Sequence, residues 1–223
     1  MTHALDTQRN SFFYKVANHS ELFRVGGSYL EDFKKGVKSF AITSLGQPAS
    51  QQKTILGLAS FFDHQLDLKI GIISDNLFLG PFKTIVQASS ATEMELNNGQ
   101  GKIAVHRFHG HFSFIDLEDL IDQAYVPESD FPQTLKALIA QFDLVFWDVP
   151  ELHKIHSARE DYDAIISCFE GLSIIVAKGH TRKEDIERVH SFFEGYGIPL
   201  KGFLLETPKI AAKKSRWWQG WFA

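Results

Sequence analysis

Six apolar runs of strand length, separated by segments of helical spacing, constrain this chain more than any other feature. Ser39–Ser44, Leu68–Ser74, Lys102–Phe108, Leu144–Asp148, Leu172–Ala177 and Leu200–Glu206 each read as a buried strand. Gln51–His64, Asp116–Tyr125, Thr134–Gln141, Ala158–Phe169 and Arg182–Tyr196 read as helices. Leu117, Leu120, Ile121 and Ala124, for example, recur at i, i+3, i+4 and i+7. Strands alternating with helices require right-handed crossovers, which build a mostly parallel sheet with helices on its faces. The expected fold class is therefore α/β, a single domain with a central sheet flanked by helices. Ligands of such sheets sit at the carboxyl ends of the strands. The loop after Ser44 and the side chain of Asp148 both fall there.

Composition narrows the reading further. A chain of 223 residues buries one sizeable core, and 20 phenylalanines predict that aromatic rings fill it. The net charge of −4 gives no electrostatic case for a nucleic-acid partner. Cys168 stands alone, so no internal disulfide forms, which fits a reducing compartment. No apolar run approaches the roughly 20 residues that span a bilayer, and MTHALDTQRNSFF lacks the basic-then-apolar order of a secretory signal. These features predict a cytoplasmic protein. Residues 1–19 read as a flexible N-terminal segment, 20–206 as the domain and 207–223 as a separate tail. Ser89–Gly101 is polar and reads as a surface loop.

The stretch Lys38–Phe62, KSFAITSLGQPASQQKTILGLASFF, carries the chemistry. Strand, loop and helix follow in turn, and the loop is expected to end at Lys53-Thr54. That is the frame of a phosphate-binding loop, in which backbone N–H groups and a helix N-terminus cradle phosphates. The lysine reaches the β/γ-phosphates and the hydroxyl holds magnesium. Glycine before the lysine is missing: Gln52 stands there, and Ser50 two residues earlier. Side chains at these places crowd the path of a triphosphate, and Pro48 removes an amide donor.

Taken in order, segments from about residue 20 to 206 resemble the cytoplasmic domain of bacterial tyrosine autokinases (BY-kinases), relatives of the MinD and ParA P-loop proteins. Glu21-Leu-Phe-Arg24 matches the start of that family's E-x-x-R-x-x-R assembly motif, whose second arginine is Gly27 here. Lys38-Ser-Phe-Ala-Ile-Thr-Ser44 is similar to its first strand. Phe142-Asp-Leu-Val-Phe-Trp-Asp148-Val-Pro150 is similar to its Walker B strand, usually Y-D-x-v-i-i-D-x-P-P. Thr181 and Gly197-Ile-Pro-Leu-Lys-Gly202-Phe-Leu-Leu205 resemble its late helix and closing strand. The departures fall on catalytic positions. The D-x-D of the second strand aligns with Ser74-Asp75-Asn76, and Asp75 serves only if the strand slips by one. Glu206 stands where an asparagine usually meets the base, and the tyrosine-rich tail is absent.

The resemblance implies ATP and magnesium as candidate cofactors. Lys53 would meet phosphate, Thr54 magnesium, and Asp148 the metal's outer sphere, with Asp75 a possible substitute carboxylate. Losing cradle and carboxylates together predicts little or no phosphoryl transfer, so no residue is expected to be catalytic. The implied role is a non-catalytic scaffold or regulator in bacterial exopolysaccharide assembly or export. Its partner would be a transmembrane polysaccharide co-polymerase or a kinase-like subunit, and homo-oligomers are an open possibility through Glu21 and Arg24. The rival is a working MinD/ParA-type switch, in which ATP drives membrane attachment.

The tail reads KIAAKKSRWWQGWFA after Thr207-Pro208, a helix start signal. On a helical wheel Ile210, Trp217, Trp218 and Trp221 share one face with Phe222 at its edge, opposite Lys209, Lys213 and Arg216. Such a helix suits the interface of an anionic inner membrane. Folding back onto the core, or into a partner groove, is the other reading. His106-x-x-His109-x-His111 and His153-x-x-His156 lack a converging tetrahedral set, so no metal is expected. Cys168 reads as a core residue.

Overall fold

A computed structural model describes residues 20–96, 101–108, 111–124 and 130–206. The elements are α1 (Ser20–Lys34), β1 (Ser39–Ser44), α2 (Pro48–Leu66), β2 (Ile70–Ser74), α3 (Gly80–Gln87), β3 (Ser90–Leu96), β4 (Gly101–Phe108) and β5 (Phe112–Asp116). There follow α4 (Leu117–Ala124), α5 (Phe131–Ile139), β6 (Leu144–Asp148), α6 (Leu152–Ser157), α7 (Arg159–Ile166), β7 (Gly171–Ala177), α8 (Lys183–Glu194) and β8 (Leu200–Glu206). The eight strands form one sheet in the order β3-β4-β5-β2-β6-β1-β7-β8. From β5 to β8 every pairing is parallel, while β3 and β4 add an antiparallel hairpin at one edge.

Burial explains which strands announce themselves in sequence. Every residue of β1, β2 and β6 is buried, because helices cover both faces of the sheet there. On one face α1, α2 and α3 enclose Phe40, Ile42, Phe62, Phe82, Phe114 and Phe146. On the other, Trp147, Leu135, Ile165, Val189 and Phe193 fill the core. The aromatic core expected from composition is present: the rings of Phe40 and Phe146 stack 6.1 Å apart, and Tyr29 meets Phe40 edge-on at 4.7 Å. The Tyr29 hydroxyl donates to Ser173 Oγ at 2.5 Å, tying α1 to β7.

The segment 89–101, expected as a loop, is largely strand. Ser90–Leu96 is β3, an edge strand whose exposed positions are mostly polar while Met94 and Leu96 are buried in the core. Glu93 pairs across the hairpin with Lys102 at 2.9 Å. β4 is half-buried in alternation rather than fully buried, and it carries His106 as the expected strand does. The strand β5 and the helices α1, α3 and α6 are further additions. The tail, residues 207–223, with its expected amphipathic helix, lies outside the described residues, as do residues 1–19.

α1 reaches α2 through Gly26. A Cβ placed there would lie 2.6 Å from the ring of Phe61, which is itself buried. Gly26→Val is therefore expected to lower stability by about 1–3 kcal/mol through overpacking. Urea denaturation checks this, and an unchanged midpoint would mean that α1 does not pack as described.

Candidate functional site

The carboxyl ends of β1, β2 and β6 meet at one level, with Ser74 and Ile42 each in register with Asp148. A cavity of about 180 Å³ opens there, lined by Ser44, Gly46, Pro48, Gln51, Asp75, Asp148 and Lys154 among others. It is smaller than the roughly 300–1,000 Å³ usual for small-molecule sites.

The junction from β1 to α2 defines its floor. Only Leu45, Gly46 and Gln47 separate the strand from the helix, which starts with Pro48 in its first turn. The N–H groups of Ser50 and Gln51 donate to the Gln47 carbonyl at 3.1 and 3.2 Å, so this segment is already helical. Sequence reading began the helix at Gln51 and ended the phosphate-loop frame at Lys53-Thr54; the structure starts the helix at Pro48. Pro at the first helical position favours this early start, since its fixed φ suits a helix and its missing N–H costs nothing there.

Two glutamines of that first stretch are almost fully buried. Gln51 Oε1 accepts from the Ser44 N–H at 2.6 Å, and its Nε2 donates to the Val149 carbonyl at 2.8 Å. Gln52 Nε2 donates to the Asn76 carbonyl at 3.2 Å, and its Oε1 accepts from the Phe82 N–H at 3.4 Å. Together these amides join the ends of β1 and β6 and the loop between β2 and α3. Ser50 donates to Glu206 Oε1, joining the end of β8 to the same helical turn.

Asp148 is the most perturbed carboxyl of the site. Burial pushes it up to about 7, and the negative charge of Asp75 adds to the effect. Hydrogen bonds from Ser74, at 2.7 Å, and from Gln51 and Gln52 hold it partly down. Asp75 accepts from Lys154 Nζ at 2.8 Å, with the aspartate side chain only 6% exposed. That bond raises the Lys154 ammonium above its ordinary value. Asp116, at the end of β5, is also raised, first by burial and then by neighbouring carboxylates.

The structure thus brings the carboxylates of Asp75 and Asp148 to one cavity, whose rim also carries Glu151. Asp75 faces the cavity from just beyond β2, while Ser74 occupies the last strand position and bonds Asp148. Lys53 is exposed on α2 and does not line the cavity, and Thr54 donates to the Ser50 carbonyl within the helix at 2.9 Å. Of the assembly residues, Glu21 and Arg24 lie on α1, with Arg24 exposed. The tail residues Lys209, Lys213, Arg216, Trp217, Trp218, Trp221 and Phe222 lie outside the described residues. Sequence reading missed Gln51 and Gln52 as structural ties and Lys154 as a cavity cation. Lys154 follows a strand-end aspartate by six residues, which places it at the ligand edge of a parallel sheet.

The histidines scatter. His106 packs against Phe78, His156 against Phe192, and His153 pairs with Glu151 at 3.1 Å. His111 lies between Asp63 and Asp67, 3.6 and 3.2 Å away, where β5 begins and α2 ends. His109 is outside the described residues. Cys168 is partly buried, and burial raises its thiol.

This sheet order, with its cavity at the strand-to-helix junction, defines a P-loop NTPase-like α/β fold. Among solved structures it is similar to the kinase domain of the Escherichia coli tyrosine kinase ETK, at TM-score 0.55 and 18% identity over 80% of this chain and 71% of that one. The VpsO kinase domain is similar at TM-score 0.53 and 13% identity, over 91% of this chain and 97% of its own. A chimerical protein, CapA2B2, follows at TM-score 0.50 and 15% identity, over 76% of each chain. The fold is therefore the one seen in bacterial tyrosine-kinase domains. No protein-family model matches the sequence, and no curated protein matches it. Among the described residues no helix is long and apolar enough to cross a membrane.

Proposed function

We propose that this domain keeps the scaffold of a bacterial tyrosine-kinase domain without its phosphoryl transfer, and that it acts by docking. The observation that supports this reading is the early start of α2. A phosphate cradle needs a loop of bare backbone between strand and helix, with N–H groups turned toward the anion. Here two amides of that stretch bond Gln47, Pro48 has no N–H, and the buried Gln51 and Gln52 take up the strand ends. A cavity of about 180 Å³ accommodates a small polar group rather than a nucleotide. The residues present do not fit a triphosphate with its magnesium ion, because Lys53 and Thr54 are directed elsewhere on α2.

On this reading the protein is a scaffold or regulator in bacterial exopolysaccharide assembly, peripheral to the inner face of the membrane. Its partner is a transmembrane co-polymerase or a kinase-like subunit, and the basic, tryptophan-rich tail supplies attachment to anionic lipid. The resemblance of the ordered motifs to BY-kinases supports the pathway, and the composition of the tail supports the location.

A titration decides between this reading and an ATP-driven switch. A fluorescent ATP analogue with magnesium is expected to show no saturable binding to the wild-type chain below about 1 mM, a weak-binding limit near 4 kcal/mol. Micromolar binding abolished by Lys53→Ala would establish the switch instead.

A further inference from the structure

At the edge of the sheet opposite the cavity, three side chains converge from two elements. α2 starts beside the cavity and ends where β2 and β5 begin side by side. Asp63 lies in its last turn, and Asp67 closes it as C-cap, with its N–H bonded to the Asp63 carbonyl at 3.0 Å. His111 directly precedes β5, and its carbonyl accepts from the Ile70 N–H at 2.8 Å. One ligand atom from each of Asp63, Asp67 and His111 lies within 4.8 Å of the other two.

The separations say what such a set can hold. His111 Nδ1 is 3.6 Å from Asp63 Oδ1 and 3.2 Å from Asp67 Oδ1. Both exceed the roughly 2.7–2.9 Å of a charge-assisted hydrogen bond. Two ligands of a tetrahedral ion stand apart by about 1.63 times the metal–ligand distance. For zinc, with nitrogen and carboxylate oxygen at about 2.0–2.2 Å, that is about 3.3–3.6 Å, which the two observed values span. Octahedral magnesium, at about 2.0–2.1 Å, needs adjacent ligands only about 2.8–3.0 Å apart. Calcium takes oxygen ligands, whereas an imidazole suits zinc. Solvent also reaches the cluster: the side chains of Asp63, His111 and Asp67 are 33%, 40% and 85% exposed.

We propose that Asp63, Asp67 and His111 form a zinc site, with water as the fourth ligand, that ties the end of α2 to the start of β5. Spacing along the chain hides it, because the two carboxylates stand on α2, far from the histidine cluster that contains His111. The site and the cavity lie at opposite ends of α2, so the ATP titration and the zinc titration fail independently.

The test uses the full chain, stripped of metal by a chelator and titrated with zinc chloride alone. One equivalent is expected to bind. Free zinc at about a hundred times Kd should raise Tm by about 5–10 °C, because the ion favours the folded arrangement. Cobalt in its place should give the intense visible absorption of a tetrahedral ion. His111→Ala should weaken zinc binding at least about tenfold and remove that absorption, since loss of even a ligand's outer partner costs as much. Asp67→Asn should do the same while keeping the fold, because asparagine suits a left-handed C-cap. A folding failure of the first variant therefore leaves the second to decide. His153→Ala, at an exposed histidine paired with Glu151, should bind zinc as the wild type does. Equal zinc affinity in wild type and Asp67→Asn overturns the inference, and so does a pale, octahedral cobalt spectrum. A wild-type Tm that zinc leaves unchanged up to about 1 mM overturns it too and reduces the three residues to an ion pair.

Discussion

Asp148→Asn is expected to stabilise the protein at pH 8 by up to about 4 kcal/mol and to change little near pH 4. The sign follows from the direction of the shift. An unfolded aspartate titrates near 3.9, whereas burial raises Asp148 to about 7 in the folded state. Below about pH 4 both states hold the proton and the carboxyl costs nothing. Between about pH 4 and 7 only the native state holds it, so stability falls as pH rises. Above about 7 the buried carboxylate is ionised and its full penalty is present, roughly three pH units at about 1.4 kcal/mol each. Asparagine never ionises, and its amide oxygen can still accept from Ser74. Urea denaturation of wild type and variant at pH 4 and pH 8 measures the gap. Asp116 is common to both proteins and cancels in the difference. A gap that does not grow with pH would show that Asp148 is ionised in the native state throughout.

Gln51→Leu is expected to cost about 2–4 kcal/mol, although the side chains are similar in size. The amide is 4% exposed and serves two buried main-chain groups, the Ser44 N–H and the Val149 carbonyl. Leucine leaves both unpaired, and each orphaned buried group costs about 1–3 kcal/mol. Water entering the adjacent cavity relieves part of this, which sets the lower figure. Lys53→Ala, two positions along the same helix but exposed, should change stability by less than about 0.5 kcal/mol. The contrast separates the buried tie from the exposed lysine. Equal effects at the two positions would mean that the amide of Gln51 does not join β1 to β6.

Strands buried on both faces were legible from sequence because nothing polar interrupts them. β1 and β6 begin and end where their apolar runs do, and so does β8, although it is only half-buried. β3 escaped because an edge strand buries only Met94 and Leu96 among exposed, mostly polar residues, and that alternation is weak over so short a run. α3 escaped because Gly80, at φ +56, and Pro81 read as a turn, although they also open a helix. At the site, Asp75 and Asp148 could be placed from their positions at strand ends. The roles of Gln51 and Gln52 could not, because they depend on where α2 starts, and Pro48 inside an expected loop reads equally well as a break. Lys154 needed the third dimension: its partner Asp75 lies 79 residues earlier in the chain.

The two borders of the sheet differ in kind. β3 presents Glu93, Glu95 and the paired Lys102 of its neighbour to solvent, whereas β8 carries Phe203 and Leu205. Joining β8 of one molecule to β3 of the next would repeat without end, and the charges on β3 oppose that union. Joining β8 to β8 about a twofold axis consumes both sticky margins at once and leaves only guarded ones outside. Among the described residues, the two borders of the sheet therefore favour pairing over open-ended growth.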